Sequence, residues 1–201
     1  AEVDVVSWLP VQAALGRLTH PHDHLLVQQH LTQPPTTPLI ILRHAKAMDR
    51  KHWPRKDSAR PINSRGRRQV TMLMPMLAAY GVTKLVSSTS TRCVATVWPY
   101  AHEHKLALET YSLLSEEEGE DDPKAVGTLV RKIRAATLES GEPTAICVHR
   151  PVLPHILDAL GIAPTNLVTG EFLVGHLTAD GTVQALERPP AGIGVAGRKF
   201  V

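Results

Sequence analysis

Short apolar runs alternate with amphipathic stretches along most of the chain. The apolar runs predict buried or extended strands at 39–42, 84–88, 106–114 and 144–149. The stretches between and after these runs have helical periodicity at 63–81, 90–104, 122–140 and 151–161. Strands that alternate with helices predict an α/β fold of three layers, in which helices cover both faces of a mostly parallel sheet.

Local signals refine this prediction at a few positions. Asn63 is placed to cap the helix that follows it, Gly81 to end that helix, and Pro75 to kink it. Residues 170–188 alternate around Asp180–Gly181, which predicts a hairpin. This hairpin is expected to add an antiparallel edge to the sheet.

The amino-terminal part has a different pattern. Residues 2–6 alternate like a short strand, and two short helices are predicted after them, at 9–20 and 20–31. Residues 32–37 are rich in proline and threonine, a composition typical of linkers. We therefore predict a boundary that separates residues 1–31 from a larger domain at 38–201.

Composition narrows the classes of function. No apolar run approaches 18 residues and no basic-then-apolar leader is present, so we predict neither a membrane span nor secretion. Cys93 and Cys147 lie far apart, which indicates a reducing compartment and predicts a cytoplasmic protein in which both are buried apolar residues. The pI is near 9.0. The net charge is only +3 and aromatic residues are 4%, so we expect an anionic small substrate rather than nucleic acid.

Charged and polar residues follow several of the predicted strands directly. Arg43–His44, Ser88 and His149–Arg150 lie at carboxyl ends of strands, and Arg92 follows one turn later. Ligands of parallel sheets bind beyond these ends, so we expect the side chains to converge on one crevice. One guanidinium group can hydrogen-bond to two phosphoryl oxygens at once, and an imidazole can accept a phosphoryl group covalently. The pattern favours phosphoryl transfer.

Other charged clusters have simpler interpretations. The four histidines between residues 20 and 30 have a spacing that fits no standard metal site, so we predict no metal. The basic segment 50–60 and the acidic segment 115–122 are typical of solvated loops, although the basic segment could steer a polyphosphate. Lys46 either attracts phosphate at the pocket mouth or points to solvent.

Four segments in order resemble one known family. Residues 42–45 (LRHA) resemble the Arg-His-Gly motif of the histidine phosphatase (phosphoglycerate mutase-like) superfamily. Residues 57–66 resemble the Asp-x-x-Arg-Pro-Leu-Thr-x-x-Gly segment of its small phosphohistidine-phosphatase branch. Residues 86–97 resemble the Ser-Ser-Pro-x-x-Arg-x-x-x-Thr segment, and 145–153 the strand that delivers a second histidine. The resemblance extends over 38–188.

The resemblance implies a role for each matching residue. His44 would be the nucleophile that carries the phosphoryl group, and Arg43, Arg92 and His149 would form the phosphate pocket. Six carboxylates fall within residues 116–122, and Glu116 lies where many relatives carry their general acid. Members of the small branch often lack a clear acid, so the identity of this acid stays open.

The sequence departs from the family pattern at three further positions. Ala45 replaces the usual glycine, which adds one methyl group near the pocket. Asn63 and Thr89 replace the commoner threonine and proline, and both suit a cap or a turn.

Residues 1–31 have a resemblance of their own. Their Trp-Leu-Pro and the helix that follows resemble the end of a Nudix hydrolase domain, without the Nudix box that holds magnesium. MutT-like Nudix domains precede histidine phosphatase domains in actinobacterial proteins that hydrolyse oxidised guanine nucleoside triphosphates and diadenosine polyphosphates. Since the chain also starts at Ala1 rather than at a methionine, we expect a fragment of such a fusion. The resemblance implies Mg²⁺ for the Nudix domain and no cofactor for this domain.

The combined expectation is a metal-independent phosphohydrolase that acts through phospho-His44. Its substrate would be a phosphorylated small molecule, by domain association a nucleotide. Two alternatives remain open. One is a phosphatase that acts on phosphohistidine in proteins. The other is a non-catalytic phosphate-binding module that regulates or docks a Nudix domain.

Overall fold

The computed structural model describes residues 7–189, so the strand predicted at 2–6 lies outside the described residues. Contacts divide the chain between Pro35 and Thr36 into two units. The first contains helices α1 (Val11–Leu15) and α2 (Pro21–Thr32), neither of which has a buried residue. Helix α1 is shorter than predicted because the chain leaves the helix at Gly16.

The second unit is built on one sheet of six strands. Their order in the sheet is β3-β2-β4-β1-β5-β6. The strands are β1 (Thr37–Arg43), β2 (Lys84–Ser88), β3 (Leu108–Tyr111), β4 (Thr144–Val148), β5 (Phe172–Leu177) and β6 (Val183–Glu187). The pairs β3–β2, β2–β4 and β4–β1 are parallel, whereas β5 pairs antiparallel with both β1 and β6. The mostly parallel sheet and the antiparallel hairpin at its edge are both confirmed.

Helices cover both faces of this sheet. They are α3 (Ser64–Ala79), α4 (Thr91–His104), α5 (Glu116–Asp121), α6 (Pro123–Ser140) and α7 (Leu153–Ala159). Alternate residues of β1 enter two separate apolar cores, because successive side chains of a strand point to opposite faces. Leu39 and Ile41 pack with residues of α6 and α7, and Ile40 and Leu42 pack with residues of α3 and α4. The predicted α/β architecture is confirmed.

Helix α3 runs through Pro75 to Ala79, and Gly81 follows its end, as predicted. One local prediction needs correction. The acidic segment after residue 115 is not a solvated loop: it forms helix α5, whose first free N–H groups are capped by Ser115. The Ser115 side chain accepts a hydrogen bond from the Glu118 N–H at 3.2 Å. A serine followed three residues later by a glutamate is a known start signal for helices, and it was available in the sequence.

Among residues 7–189, no helix is both long enough and apolar enough to cross a membrane.

The first turn of α3 lies against the loop that follows β1. Asn63 caps the helix, as predicted, by accepting a hydrogen bond from the Gly66 N–H at 2.9 Å. The Asn63 N–H donates to the Lys46 carbonyl at 2.9 Å. A Cβ atom on Gly66 would lie 2.2 Å from that same carbonyl oxygen. Only glycine permits this approach, which fixes the path of the chain just after His44.

We predict that Gly66→Ala destabilises the protein by about 2 kcal/mol or more, because the added methyl group overlaps a backbone oxygen that cannot move freely. The free energy of unfolding should be measured by urea denaturation followed by circular dichroism. Gly127→Ala in α6 is the matched control. Its Cβ would meet first the end of the flexible Arg131 side chain at 3.3 Å. This control should gain up to about 1 kcal/mol from helix propensity, and equal losses for both variants would contradict the prediction.

Candidate active site

The carboxyl ends of β1 and β4 bring two histidines together. Arg43 ends β1 and His44 follows it, while His149 follows Val148 at the end of β4. The His44 N–H donates to the Val148 carbonyl at 3.1 Å. The two imidazole rings therefore lie with their centroids 5.0 Å apart. The predicted convergence of these residues is present in the structure.

A cleft of about 340 Å³ opens over this end of the sheet. Five basic and two acidic side chains line its wall. The lining residues are Arg43, His44, Lys46, Ala47, Asp49, Arg50, Arg60, Glu116, Arg150, Pro151 and Thr169. We refer to it as the catalytic cleft. His149 and Arg92 are fully buried beside it.

The His44 ring has a defined tautomer. Its Nδ1 lies 2.8 Å from the Ala45 carbonyl oxygen. A carbonyl oxygen only accepts hydrogen bonds, so Nδ1 carries the proton and Nε2 keeps its lone pair. Burial, followed by the positive charges of Arg92 and Arg43, lowers the pKa of His44 to about 4. A neutral imidazole with a free Nε2 is the form that can act as a nucleophile.

His149 is held from its inner side. Its Nε2 lies 3.1 Å from the Ser88 hydroxyl and 3.2 Å from the Cys93 sulfur. Burial and then the charge of Arg92 lower the pKa of His149 to about 2, so this ring is also neutral. When Ser88 and Cys93 donate to Nε2, the single ring proton is on Nδ1. That nitrogen lies 3.9 Å from a Glu116 carboxylate oxygen.

Arg92 is fully buried in α4, where two carboxylates balance its charge. Its Nη1 donates to the Asp57 carbonyl at 2.7 Å and lies 3.0 Å from an Asp57 carboxylate oxygen. Its Nη2 donates to the Glu116 carboxylate at 3.1 Å. The other oxygen of Glu116 accepts from Arg50 at 2.6 Å. A buried guanidinium requires such partners because an unpaired buried charge costs several kcal/mol.

Three buried side-chain atoms have no hydrogen-bond partner within residues 7–189. They are Nε of Arg43, Nε of Arg92 and Nδ1 of His149. Nearly all buried polar atoms in folded proteins are paired, so unpaired polar atoms in residues at or beside the catalytic cleft indicate a binding site. All three belong to residues that the sequence predicted for the phosphate pocket.

The remaining predicted residues lie at the cleft. Arg43 donates through Nη1 to the Leu167 carbonyl at 2.6 Å, which ties the end of β1 to the loop before β5. Lys46 lines the cleft, its side chain is 41% exposed, and its Nζ lies 3.6 Å from an Asp49 carboxylate oxygen. That it attracts phosphate stays a prediction.

Sequence reasoning missed Asp57 and Arg60 as parts of the site. Arg60 was assigned to a solvated basic loop, but its side chain is only 11% exposed and pairs with Asp57 at 2.8 Å. Its Nη1 also donates to the Met48 carbonyl at 2.5 Å. The signal that could have found them was the Asp-x-x-Arg spacing at 57–60. That spacing lies in a segment already compared with the family.

Within the described part of the chain, no group of three or more His, Cys, Asp or Glu residues is arranged to hold a metal ion. The expectation that catalysis needs no metal stays a prediction.

Comparisons with known proteins find similarity to phosphatases. Residues 39–121 match the family model of the histidine phosphatase superfamily, branch 1. A curated relative, the 8-oxo-(d)GTP phosphatase of Mycolicibacterium smegmatis, is 32% identical over 158 residues, which cover 78% of this chain and 48% of the relative. The chain thus spans about half the length of that relative.

Solved structures share the fold at low identity. The protein histidine phosphatase SixA complexed with tungstate superposes with a TM-score of 0.62 at 20% identity, covering 76% of this chain and 97% of that one. A mycobacterial glucosyl-3-phosphoglycerate phosphatase superposes with a TM-score of 0.52 at 14% identity, covering 77% and 97%. These likenesses show the fold alone. Together with the match over residues 39–121, they make this chain similar to the histidine phosphatase superfamily and support a hydrolase.

Proposed function

We propose that this domain hydrolyses phosphoester or phosphoanhydride bonds of nucleotides through a phosphohistidine on Nε2 of His44. The observation that carries the proposal is the set of three unpaired buried nitrogen atoms in residues around His44. A transferring phosphoryl group spreads its charge over three oxygens. Arg43 and Arg92 each supply one unpaired N–H, and His149 supplies a third when its ring proton is on Nδ1. These groups would donate hydrogen bonds to the charged oxygens.

In the first step the Nε2 lone pair of His44 attacks phosphorus. The bond between phosphorus and the leaving oxygen breaks, and a phosphorus–nitrogen bond forms. The leaving oxygen takes a proton from Glu116, which enters the step as the carboxylic acid. Nδ1–H of His44 donates a hydrogen bond to the Ala45 carbonyl, and this bond stabilises the positive charge that develops on the imidazole.

In the second step a water molecule attacks the phosphohistidine. The water gives a proton to the Glu116 carboxylate, and the phosphorus–nitrogen bond breaks. Phosphate leaves and the lone pair returns to Nε2. Glu116 accepts bonds from Arg50 and Arg92 in the structure, so its acid–base role requires that bound phosphate replace it on Arg92.

The charge of the catalytic cleft supports a substrate with more than one phosphate. Five basic side chains against two acidic ones leave an excess of three positive charges along its wall. One phosphomonoester brings at most two negative charges, whereas a nucleoside diphosphate or triphosphate brings more. The name of the M. smegmatis relative, 8-oxo-(d)GTP phosphatase, supports the same substrate class.

We place this activity in a protein that also carries a Nudix domain. The resemblance of residues 1–31 to the end of such a domain supports this placement, and any Mg²⁺ would serve that domain rather than this one. A phosphatase acting on phosphohistidine in proteins is the second candidate, supported by the fold shared with SixA. A panel of nucleoside di- and triphosphates against a phosphohistidine peptide separates the two.

Hydrolysis of para-nitrophenyl phosphate in the presence of EDTA should fall by at least about 10³-fold in His44→Asn, because the nucleophile is removed. Its matched control is His102→Asn, which changes an exposed histidine of α4. The control should retain the wild-type rate. Equal rates for wild type and His44→Asn would leave only a phosphate-binding module.

Glu116→Gln should slow the hydrolysis of alkyl phosphates by about 10²- to 10⁴-fold, because a poor leaving oxygen needs a proton. Nitrophenyl phosphates should be affected far less. Glu117→Gln on the same helix, whose side chain is exposed, is the control. A uniform slowing for all leaving groups, or none, would remove Glu116 as the acid.

Both site histidines should stay neutral from pH 8 to pH 5, since the pKa of His44 is lowered to about 4 and that of His149 to about 2. Multiple-bond ¹H–¹⁵N spectra in phosphate-free buffer report this state, and the variants His44→Asn and His149→Gln assign the signals. Unfolded in urea, both should titrate near 6.5.

The same lowered pKa values make the free energy of unfolding depend on pH. Below about pH 6.5 both histidines bind protons in the unfolded chain, whereas in the folded site they stay neutral to lower pH. The free energy of unfolding should therefore decrease as pH falls from 6.5 towards 4. A site histidine that titrates near 6.5 in the folded protein would contradict the assignment.

A further inference from the structure

A second cleft lies between α3 and the loop that precedes β5. Its volume is about 420 Å³. It is lined by Arg65, Arg68, Gln69, Met72, Leu73, Met76, Val168, Thr169, Gly170 and Phe172. We call it the α3 cleft. None of these residues belongs to the phosphate pocket described above.

The α3 cleft adjoins the catalytic cleft. Thr169 lines both. Gln69 connects their walls, because its Oε1 accepts from the Lys46 N–H at 2.8 Å and its Nε2 donates to the Thr169 carbonyl at 2.6 Å. Lys46 lies two residues after His44. Thr169 is therefore the point where a molecule held at His44 would pass into the α3 cleft.

The shape of this junction is fixed by its backbone. Gly170 has φ +77°, a conformation that side chains rarely adopt, and a Cβ there would lie 2.9 Å from the Gln69 side chain. The Gly170 N–H lies 3.1 Å from the carbonyl oxygens of both Arg43 and His44. The loop is thus attached to the nucleophile's own backbone, and the α3 cleft is formed before any ligand binds.

The α3 cleft is lined by both basic and apolar side chains. Arg65 and Arg68 lie three residues apart on one face of α3, and neither makes an ion pair within residues 7–189. Beside them are Met72 and Met76, both partly buried, and the buried ring of Phe172. Methionine sulfurs pack well against aromatic rings, and guanidinium planes stack on them and bind phosphate.

We propose that the α3 cleft binds the part of the substrate that is not transferred, namely an aromatic base and the phosphate nearest to it. This inference rests on the proposed function, since it assumes a phosphoryl group at His44. The base lies against Met72 and Met76, and Arg68 contacts the inner phosphate. The α3 cleft would then decide which phosphates this domain hydrolyses, while His44 performs the same chemistry on all of them.

The test compares selectivity between two substrates. For wild type and variants, kcat/KM is measured for guanosine diphosphate and for para-nitrophenyl phosphate, which has no inner phosphate. Arg68→Ala should lower the ratio of the two values about five- to tenfold, mainly through KM for the nucleotide. Arg67→Ala is the matched control, because Arg67 lies on the same helix, is exposed and does not line the α3 cleft. Its ratio should equal that of the wild type.

Separate outcomes address the two proposals. If wild type hydrolyses the aryl phosphate and Arg68→Ala leaves the ratio unchanged, the α3 cleft proposal is overturned while the proposed function stands. If wild type hydrolyses neither substrate, the proposed function fails. A fluorescent guanosine diphosphate analogue titrated into His44→Asn then tests the cleft alone. If adding Arg68→Ala to His44→Asn weakens binding of the analogue and adding Arg67→Ala does not, the α3 cleft proposal is supported. Equal binding by the two double variants would overturn it.

Discussion

The arrangement of the site depends on the burial of one guanidinium. Arg92 is fully buried, and its charge is balanced by Asp57 and Glu116, which come from a loop and from α5. Removing one partner from a buried ion pair costs about 3–5 kcal/mol, far more than a surface pair contributes. This requirement brings three distant segments of the chain to the ends of β1 and β4. The pocket forms where the charge has to be neutralised.

Burial first, and then this buried charge, keeps the two histidines neutral. Arg92 lies close enough to lower the pKa of both His44 and His149, in addition to the effect of their burial. A protonated imidazole could not attack phosphorus, so burial and the nearby positive charge keep His44 in the form that the proposed function requires. The hydrogen bond from Nδ1 of His44 to the Ala45 carbonyl then leaves Nε2 as the free nitrogen. Charge and hydrogen bonding together select one protonation state and one tautomer.

The sequence was most informative where a regular element ends in an unusual residue. Arg43, His44 and His149 could be placed because carboxyl ends of parallel strands share one edge of a sheet. Asp57 and Arg60 could not, since charged residues in short loops are usually solvated and their pairing depends on contacts across the fold. Helix α5 was mistaken for a loop because a run of acidic residues is most often a solvated loop. The Ser115 cap at its first turn is a subtler signal.

The pairing of Arg92 with Glu116 also constrains what can bind. A ligand that displaces the Glu116 carboxylate from Arg92 must form more hydrogen bonds than a carboxylate does. Exchanging one carboxylate for another would gain no free energy. A phosphoryl dianion does so, since its oxygens can also engage Nε of Arg43, Nε of Arg92 and Nδ1 of His149, which no group within residues 7–189 satisfies. We therefore expect the site to favour phosphoryl dianions over monoanions, because the Glu116 carboxylate already occupies Arg92. Under the proposed mechanism, the displaced carboxylate would stay close to the phosphoryl group, where a proton has to be transferred.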